Sequence, residues 1–162
     1  MEYILVSACL LGLGCRYSGE RKTDEGVRKL LERKEAVLIP VCPEQLGGLP
    51  TPREPSERRD GGVWNRKGED VTEQFRRGAG EVLRLAGMYG CRLAILKERS
   101  PSCGSGKIYD GSFTGTVIDG DGVTAELLKE NGIRVVGESQ AAVIIPSVKS
   151  YVWFRIRQDG EE

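Results

Sequence analysis

Residues 3–9 read YILVSAC, a short apolar run that ends on a cysteine and opens into the glycine-rich LLGLG. An apolar run of this length, closed by turn residues, reads as a strand buried on both faces, as strands of parallel sheets are. The pattern returns at residues 36–42 (AVLIPVC), at 92–97 (RLAILK, followed by ERSPSC) and at 134–137 (RVVG). Helical periods lie between these runs. Val27, Leu30 and Leu31 share one face of a helix beginning after Thr23 or Asp24. Phe75, Ala79, Val82, Leu83 and Ala86 mark a longer helix ending near Gly90, and Val123, Leu127 and Leu128 a third ending at Gly132. Parallel strands need crossovers, and strand-helix alternation supplies them. The expected fold is α/β, a small Rossmann-like three-layer domain with a mostly parallel sheet of about four to five strands.

The whole chain has the dimensions of one domain. Its 162 residues, 39% hydrophobic, bury a single core, with residues 139–162 read as a C-terminal extension. Within it, AAVIIP (141–146) and YVWFRI (151–156) are apolar enough to add a strand, extend the core or meet another subunit. Twenty-four basic residues balance twenty-four acidic ones, which argues against a dominant nucleic-acid footprint or a polybasic membrane surface. No run approaches the ~20 apolar residues of a membrane span. The apolar start ending at Gly14-Cys15 superficially resembles a lipoprotein cleavage site, but it lacks a basic leading region and is too short and glycine-rich. Five cysteines in no dense short-range pattern read as thiols or ligands in a reducing, cytoplasmic compartment.

Three of them, Cys9, Cys42 and Cys103, follow predicted strands. The carboxyl ends of parallel strands line one crevice, where such sheets bind ligands, so the three thiols are expected to gather. A lone cysteine is as often a small packing residue; the argument lies in the set. Cys91 precedes the third strand at the opposite end and reads as packing, whereas Cys15 sits in a glycine-rich loop near Cys9. The chain has no histidine, which removes Ser-His and Cys-His nucleophile pairs, histidine bases and His-ligated zinc. Three distant thiolates suit zinc poorly. An iron-sulfur cubane tolerates distant ligands and, with three of them, keeps one iron open as a Lewis acid. A redox disulfide or a cysteine nucleophile are the alternatives, and neither accounts for the third cysteine.

Polar groups flank the thiols. Glu44, two residues after Cys42, is the candidate acid or base in the absence of histidine. Ser100 and Ser102 in SPSCG are candidates to orient a polar ring, or form a plain turn. Arg16, Arg53, Lys97 and Lys107 lie in or beside the same segments, and any two of them are expected to be ordinary solvated charges. The stretch from Pro43 to Gly68, rich in proline and glycine with little helical period, is too long for an idle connector and is expected to cover the crevice. A second glycine-rich stretch, from Gly104 to Gly115, is expected to form a small hairpin around Ser112 and Phe113.

The motifs SACLLGLGCRYSG, PVCPEQLGGLPTPREP, LKERSPSCGSGKIYDGSFTGT and GDGVTAELLKENGIRVVGE, spanning about Ile4 to Glu138, together resemble the family long labelled DUF523, a domain of unknown function. Its characterised members are thiouracil desulfidases of the TudS type. The resemblance implies a 4Fe-4S cluster held by Cys9, Cys42 and Cys103, with the remaining iron taking the sulfur of a thiolated pyrimidine and the ring being hydrolysed to its oxygen analogue. It further implies Glu44 as the acid-base residue and Ser100 as a substrate-orienting hydroxyl. Ser18 stands where RYDG is the commoner family form. The expected partner is a small-molecule thiolated pyrimidine, base or nucleoside. A sulfur-trafficking or thiolated-RNA-binding module without turnover is the competing function, for which Arg53, Arg58, Arg59 and Arg66 are the candidate contacts, although the neutral total argues against broad backbone affinity.

Overall fold

The computed structural model describes residues 1–33 and 36–144. Its centre is a four-stranded parallel sheet of β1 (Glu2–Ser7), β2 (Ala36–Val41), β5 (Leu93–Leu96) and β8 (Arg134–Gly137), in the order β2-β1-β5-β8. Strand β1 pairs with β2 from Glu2–Ala36 to Ser7–Val41, and with β5 from Ile4–Leu93 to Val6–Ile95. The chain leaves β1 toward β2 on one side and later returns to lay β5 on the other. The carboxyl ends of β1 and β5 therefore flank the topological switch point, where open α/β sheets bind ligands.

The uniformly apolar strands exist because both faces of the sheet are covered. Ile4, Val6 and Ile95 pack with Val27 and Leu30 of α1 (Glu25–Glu32) on one face. Leu5, Ala94 and Leu96 pack with Val82 and Ala86 of α3 (Thr72–Tyr89) and Ala125 and Leu128 of α4 (Val123–Glu130) on the other. Asp24 caps α1 by accepting from the Val27 amide at 3.0 Å, and Gly90 closes α3 in a left-handed conformation with φ of 63°. The described part of the extension continues the core: Ala141 and Ile144 are buried with the α1 cluster. The rest of AAVIIP, and all of YVWFRI, lie outside the described residues.

The stretch from Pro43 to Gly68 departs from a structureless cover. It carries a short helix α2 (Pro43–Leu46) and an antiparallel hairpin of β3 (Ser56–Arg59) and β4 (Gly62–Asn65), with Val63 fully buried against Phe75 and Val71. The hairpin was invisible as a pattern because SERRDGGVWN lacks clean alternation: its buried positions include Glu57 and Asn65, polar residues satisfied by specific partners. Helix α2 is seated on α3 backbone to backbone. A Cβ on Gly78 would lie 1.8 Å from the Pro43 carbonyl oxygen, and one on Gly47 would lie 1.9 Å from that of Gln74. Only glycine permits this approach, and it locks the peptide between Cys42 and Glu44 in place. The second glycine-rich stretch forms the expected hairpin, β6 (Lys107–Tyr109) against β7 (Val117–Asp119), with Ser112 and Phe113 in its connection. Among the described residues no helix is long and apolar enough to cross a membrane.

Candidate active site

A cavity of about 570 Å³ opens at the carboxyl ends of β1, β2 and β5, and Cys9, Cys15, Cys42 and Cys103 all line it. Each cysteine arrives by its own route. Cys9 lies in the single helical turn Ala8–Leu10 that follows β1, Cys42 is the N-terminal cap of α2 directly after β2, and Cys103 lies in the SPSCG turn beyond β5. Cys91 is buried at the start of β5, far along the strand from the cavity and packed in the α3–α4 cluster.

The four thiols at the cavity differ sharply in acidity. Hydrogen bonding with Cys42 and Cys9, together with burial, holds the Cys15 thiol well above the usual range, so it stays protonated, and the Cys42 thiol itself faces the Cys15 carbonyl oxygen at 3.8 Å. The bond from Cys15 outweighs desolvation at Cys42 and, helped by the Gln45 amide and the Arg53 charge, brings its thiol down to about 7. Cys9 is lowered for the same first reason, with Arg16 and Lys97 also favouring its thiolate. Burial pushes Cys103 up to about 12, although the Ser7 hydroxyl bonds to it. Only the thiolate of a cysteine alkylates readily. In cluster-free protein, iodoacetamide is therefore expected to modify Cys42 with a pH midpoint near 7, reaction rising as pH rises through that value. Cys103 and Cys15 should stay unmodified, and peptide mapping across pH 5.5 to 9 checks the order; simultaneous labelling of all four would contradict it.

Glu44 lines the same cavity from the first turn of α2. Its carboxylate accepts from Arg53 Nε at 3.3 Å, with the Arg53 side chain only 6% exposed. Arg53 is fully committed elsewhere: it donates to the carbonyls of Cys15 at 2.8 Å and Pro50 at 3.1 Å and to Thr51 Oγ1 at 2.9 Å. One buried guanidinium thus ties the Cys15 loop to Glu44. Among the four cations singled out in the sequence, Lys97 lines the cavity paired with Glu138, and Lys107 is an exposed partner of Asp119 away from it. Arg16 also lines the cavity, and its Nε is buried with no hydrogen-bond partner among the described residues.

Ser100 borders the cavity, and its Oγ accepts from the amides of Ser102 at 3.2 Å and Cys103 at 3.1 Å. It shapes the turn that presents Cys103, and its own proton remains available to a ligand. Ser102 has no such freedom. Its side chain is fully buried and shares a 2.8 Å hydrogen bond with Thr124, fastening the cysteine turn to the start of α4. A Cβ on Gly122 would lie 2.4 Å from the Ser102 carbonyl, so this junction too depends on glycine.

The loop arginines do not form one open basic surface. Arg53 is buried, Arg58 bonds Glu126 and the Asp121 carbonyl, Arg59 lies 5.4 Å from the Trp64 ring and Arg66 lies 5.9 Å from the Phe113 ring. Sequence reasoning passed over Ser7, Tyr17, Glu57 and Phe113, which also wall the cavity. No local spacing marks them; the DGSFTG turn is the only signal at Phe113.

The donor set suits a polynuclear group. Among the described residues no group of three or more Cys, Asp or Glu side chains is placed to hold a single metal ion. Two thiols biased toward thiolate and the unpartnered Arg16 Nε match a sulfide-rich, anionic guest.

Comparison with known proteins places this geometry. The model of a family described as 2-thiouracil desulfurase matches residues 4–140. The chain is 48% identical over 147 residues to "Uncharacterized protein YbbK" of Bacillus subtilis (strain 168), covering 85% of this chain and 96% of that one. It is also similar in structure to a [4Fe-4S]-dependent thiouracil desulfidase, TudS, with a TM-score of 0.81, 44% identity and coverage of 95% of this chain and 99% of the other.

Proposed function

The chain belongs to the 2-thiouracil desulfurase family, and from that premise we propose that it is a cytoplasmic, iron-sulfur-dependent desulfidase acting on a thiolated pyrimidine, base or nucleoside. The reaction is hydrolytic: a ring thiocarbonyl and water give the oxo ring and hydrogen sulfide, with no net change of oxidation state. The observation that carries this reading is the delivery of Cys9, Cys42 and Cys103 to one cavity wall from three adjacent strands, beside a carboxylate held in place by a buried arginine.

In this reading Cys9, Cys42 and Cys103 hold a 4Fe-4S cluster. When bound, the cluster supplies a thiophilic Lewis-acid position that polarises the carbon-sulfur bond. The protein's own groups do the rest. Ser100 directs its hydroxyl proton to the ring, while the turn built on its oxygen holds Cys103. Glu44 takes a proton from the attacking water and returns it to the departing sulfur or ring nitrogen, the role that a chain without histidine leaves to a carboxylate. Arg53 keeps Glu44 facing the cavity, and Cys15 remains a neutral thiol beside its two neighbours.

Purification under anaerobic conditions tests the reading. The expected product is brown protein with about four irons and four sulfides per chain that releases sulfide from 2-thiouracil. Colourless protein after anaerobic reconstitution, or cluster-loaded protein that releases no sulfide from any thiolated pyrimidine, would overturn it.

A further inference from the structure

Phe113 occupies a backbone conformation that an aromatic residue seldom enters. Its φ is 56°, in the left-handed region where a bulky side chain persists only if its surroundings impose it, and such outliers gather at ligand clamps. Here the surroundings do impose it. The Phe113 amide donates to Glu57 Oε1 at 3.1 Å, and Glu57 is 7% exposed. Gly111 lies so close to β3 that a Cβ would sit 2.6 Å from Arg59 Cβ and 3.0 Å from the Arg58 carbonyl. Asp110 accepts from the Ser112 amide at 2.9 Å, and the hydroxyls of Ser112, Thr114 and Thr116 form a chain at 2.6 and 2.8 Å. These contacts hold the hairpin tip in this conformation without any ligand.

That arrangement does not serve the core. Phe113 belongs to none of the three apolar clusters and is only half-buried. Its ring lines the same cavity as the cysteines, and the Arg66 guanidinium lies 5.9 Å from the ring centroid. A half-buried aromatic ring, held under strain and braced by a cation, is a preformed surface for another flat ring.

We propose that Phe113, backed by Arg66, is the stacking platform that receives the substrate's heterocycle and restricts this site to planar, aromatic thiocarbonyl rings. The inference rests on the desulfidase reading. Stacking is indifferent to which polar groups the ring carries, so the platform selects flatness, and the thiol-lined wall selects sulfur. Saturated thiocarbonyls lack the flat face that it needs, and planar but acyclic ones such as thiourea lack the ring area to cover it.

Phe113→Gly removes the ring while giving the tip a residue at ease with positive φ. Its expected profile is an unchanged or raised melting temperature, unchanged iron and sulfide content, and a KM for 2-thiouracil raised about 5- to 100-fold with a much smaller change in kcat, from the usual worth of a base-aromatic stack. Uracil, the oxo product, should bind the variant more weakly by a similar factor in calorimetry, and Phe113→Tyr should restore both. Discrimination between 2-thiouracil and thiourea should fall with the ring. If the glycine variant fails to fold, Phe113→Leu, which keeps apolar bulk without a stacking face, carries the same comparison. Wild-type KM and uracil affinity in these variants would overturn the platform. Absence of sulfide release from the wild-type protein would instead overturn the desulfidase reading, and uracil binding would still report on Phe113.

Discussion

Serine at Cys9, Cys42 or Cys103 is expected to abolish retention of the cluster, leaving anaerobically prepared protein colourless, with sulfide release at background. The change keeps the side chain nearly isosteric but replaces a soft sulfur by a hydroxyl that stays protonated at neutral pH, and soft ligands are what iron-sulfur clusters require. The three positions should behave alike because in the proposed site each strand end would contribute one ligand, with no spare thiol ready. Cys15 is not a spare: its place beside Cys42 and Cys9, together with burial, keeps its own proton on. Cys15→Ser preserves a protonated donor beside its neighbours and should retain the cluster. Cys91→Ser should retain it too, with some loss of stability from a hydroxyl placed in the apolar cluster around Val82 and Ala94. Iron and sulfide quantification with the visible spectrum of each variant checks the set. Cluster loss at Cys91 equal to that at Cys42 would remove the strand-end arrangement as the cause.

Glu44→Gln is expected to keep the cluster and its absorbance yet lower sulfide release from 2-thiouracil by about 10²-fold or more, the usual scale for a lost general acid-base group. The amide oxygen can still accept from Arg53 Nε, which stands at 3.3 Å in the native pair, so the side chain stays in position. What it loses is the capacity to take up a proton and return it. Arg53, almost wholly buried, also loses its countercharge, so the melting temperature should fall even though the fold survives. The two effects separate in one experiment: a kcat that remains low at temperatures well below the melting transition reports chemistry. Near-normal turnover in Glu44→Gln would take Glu44 out of the mechanism, and Lys97, also on the cavity wall, would become the group to replace next.

How much of this was legible in the chain depends on the range over which the physics acts. Apolar runs such as YILVSA and AVLIPV announce strands buried on both faces because burial is written locally, residue by residue, and helical periods between them make the sheet parallel. Once the sheet is parallel, the residues after β1, β2 and β5 must share one edge, so the meeting of Cys9, Cys42 and Cys103 followed from their places in the alternation. The β3–β4 hairpin was not legible because its inward positions include Glu57 and Asn65, whose burial is tolerable only with partners such as the Phe113 amide, far away in sequence.

The same distinction separates the cysteines from their environment. Nothing near Cys15 indicates that it will be the protonated member of the group, since that follows from its contacts with Cys9 and Cys42 across two loops. Nothing near Arg53 marks it as buried, because its burial comes from the carbonyls of Cys15 and Pro50 and the Glu44 carboxylate closing around it. The backbone crossing of α2 on α3 at Gly47 and Gly78 sets where Cys42 and Glu44 stand, and a glycine in a sequence does not say what it will touch. The parallel strand-helix alternation and the gathering of the three thiols were therefore properties of local pattern, whereas strand order, acidity, charge pairing and the strained Phe113 are properties of contacts between distant segments, which come into being only when the chain is packed.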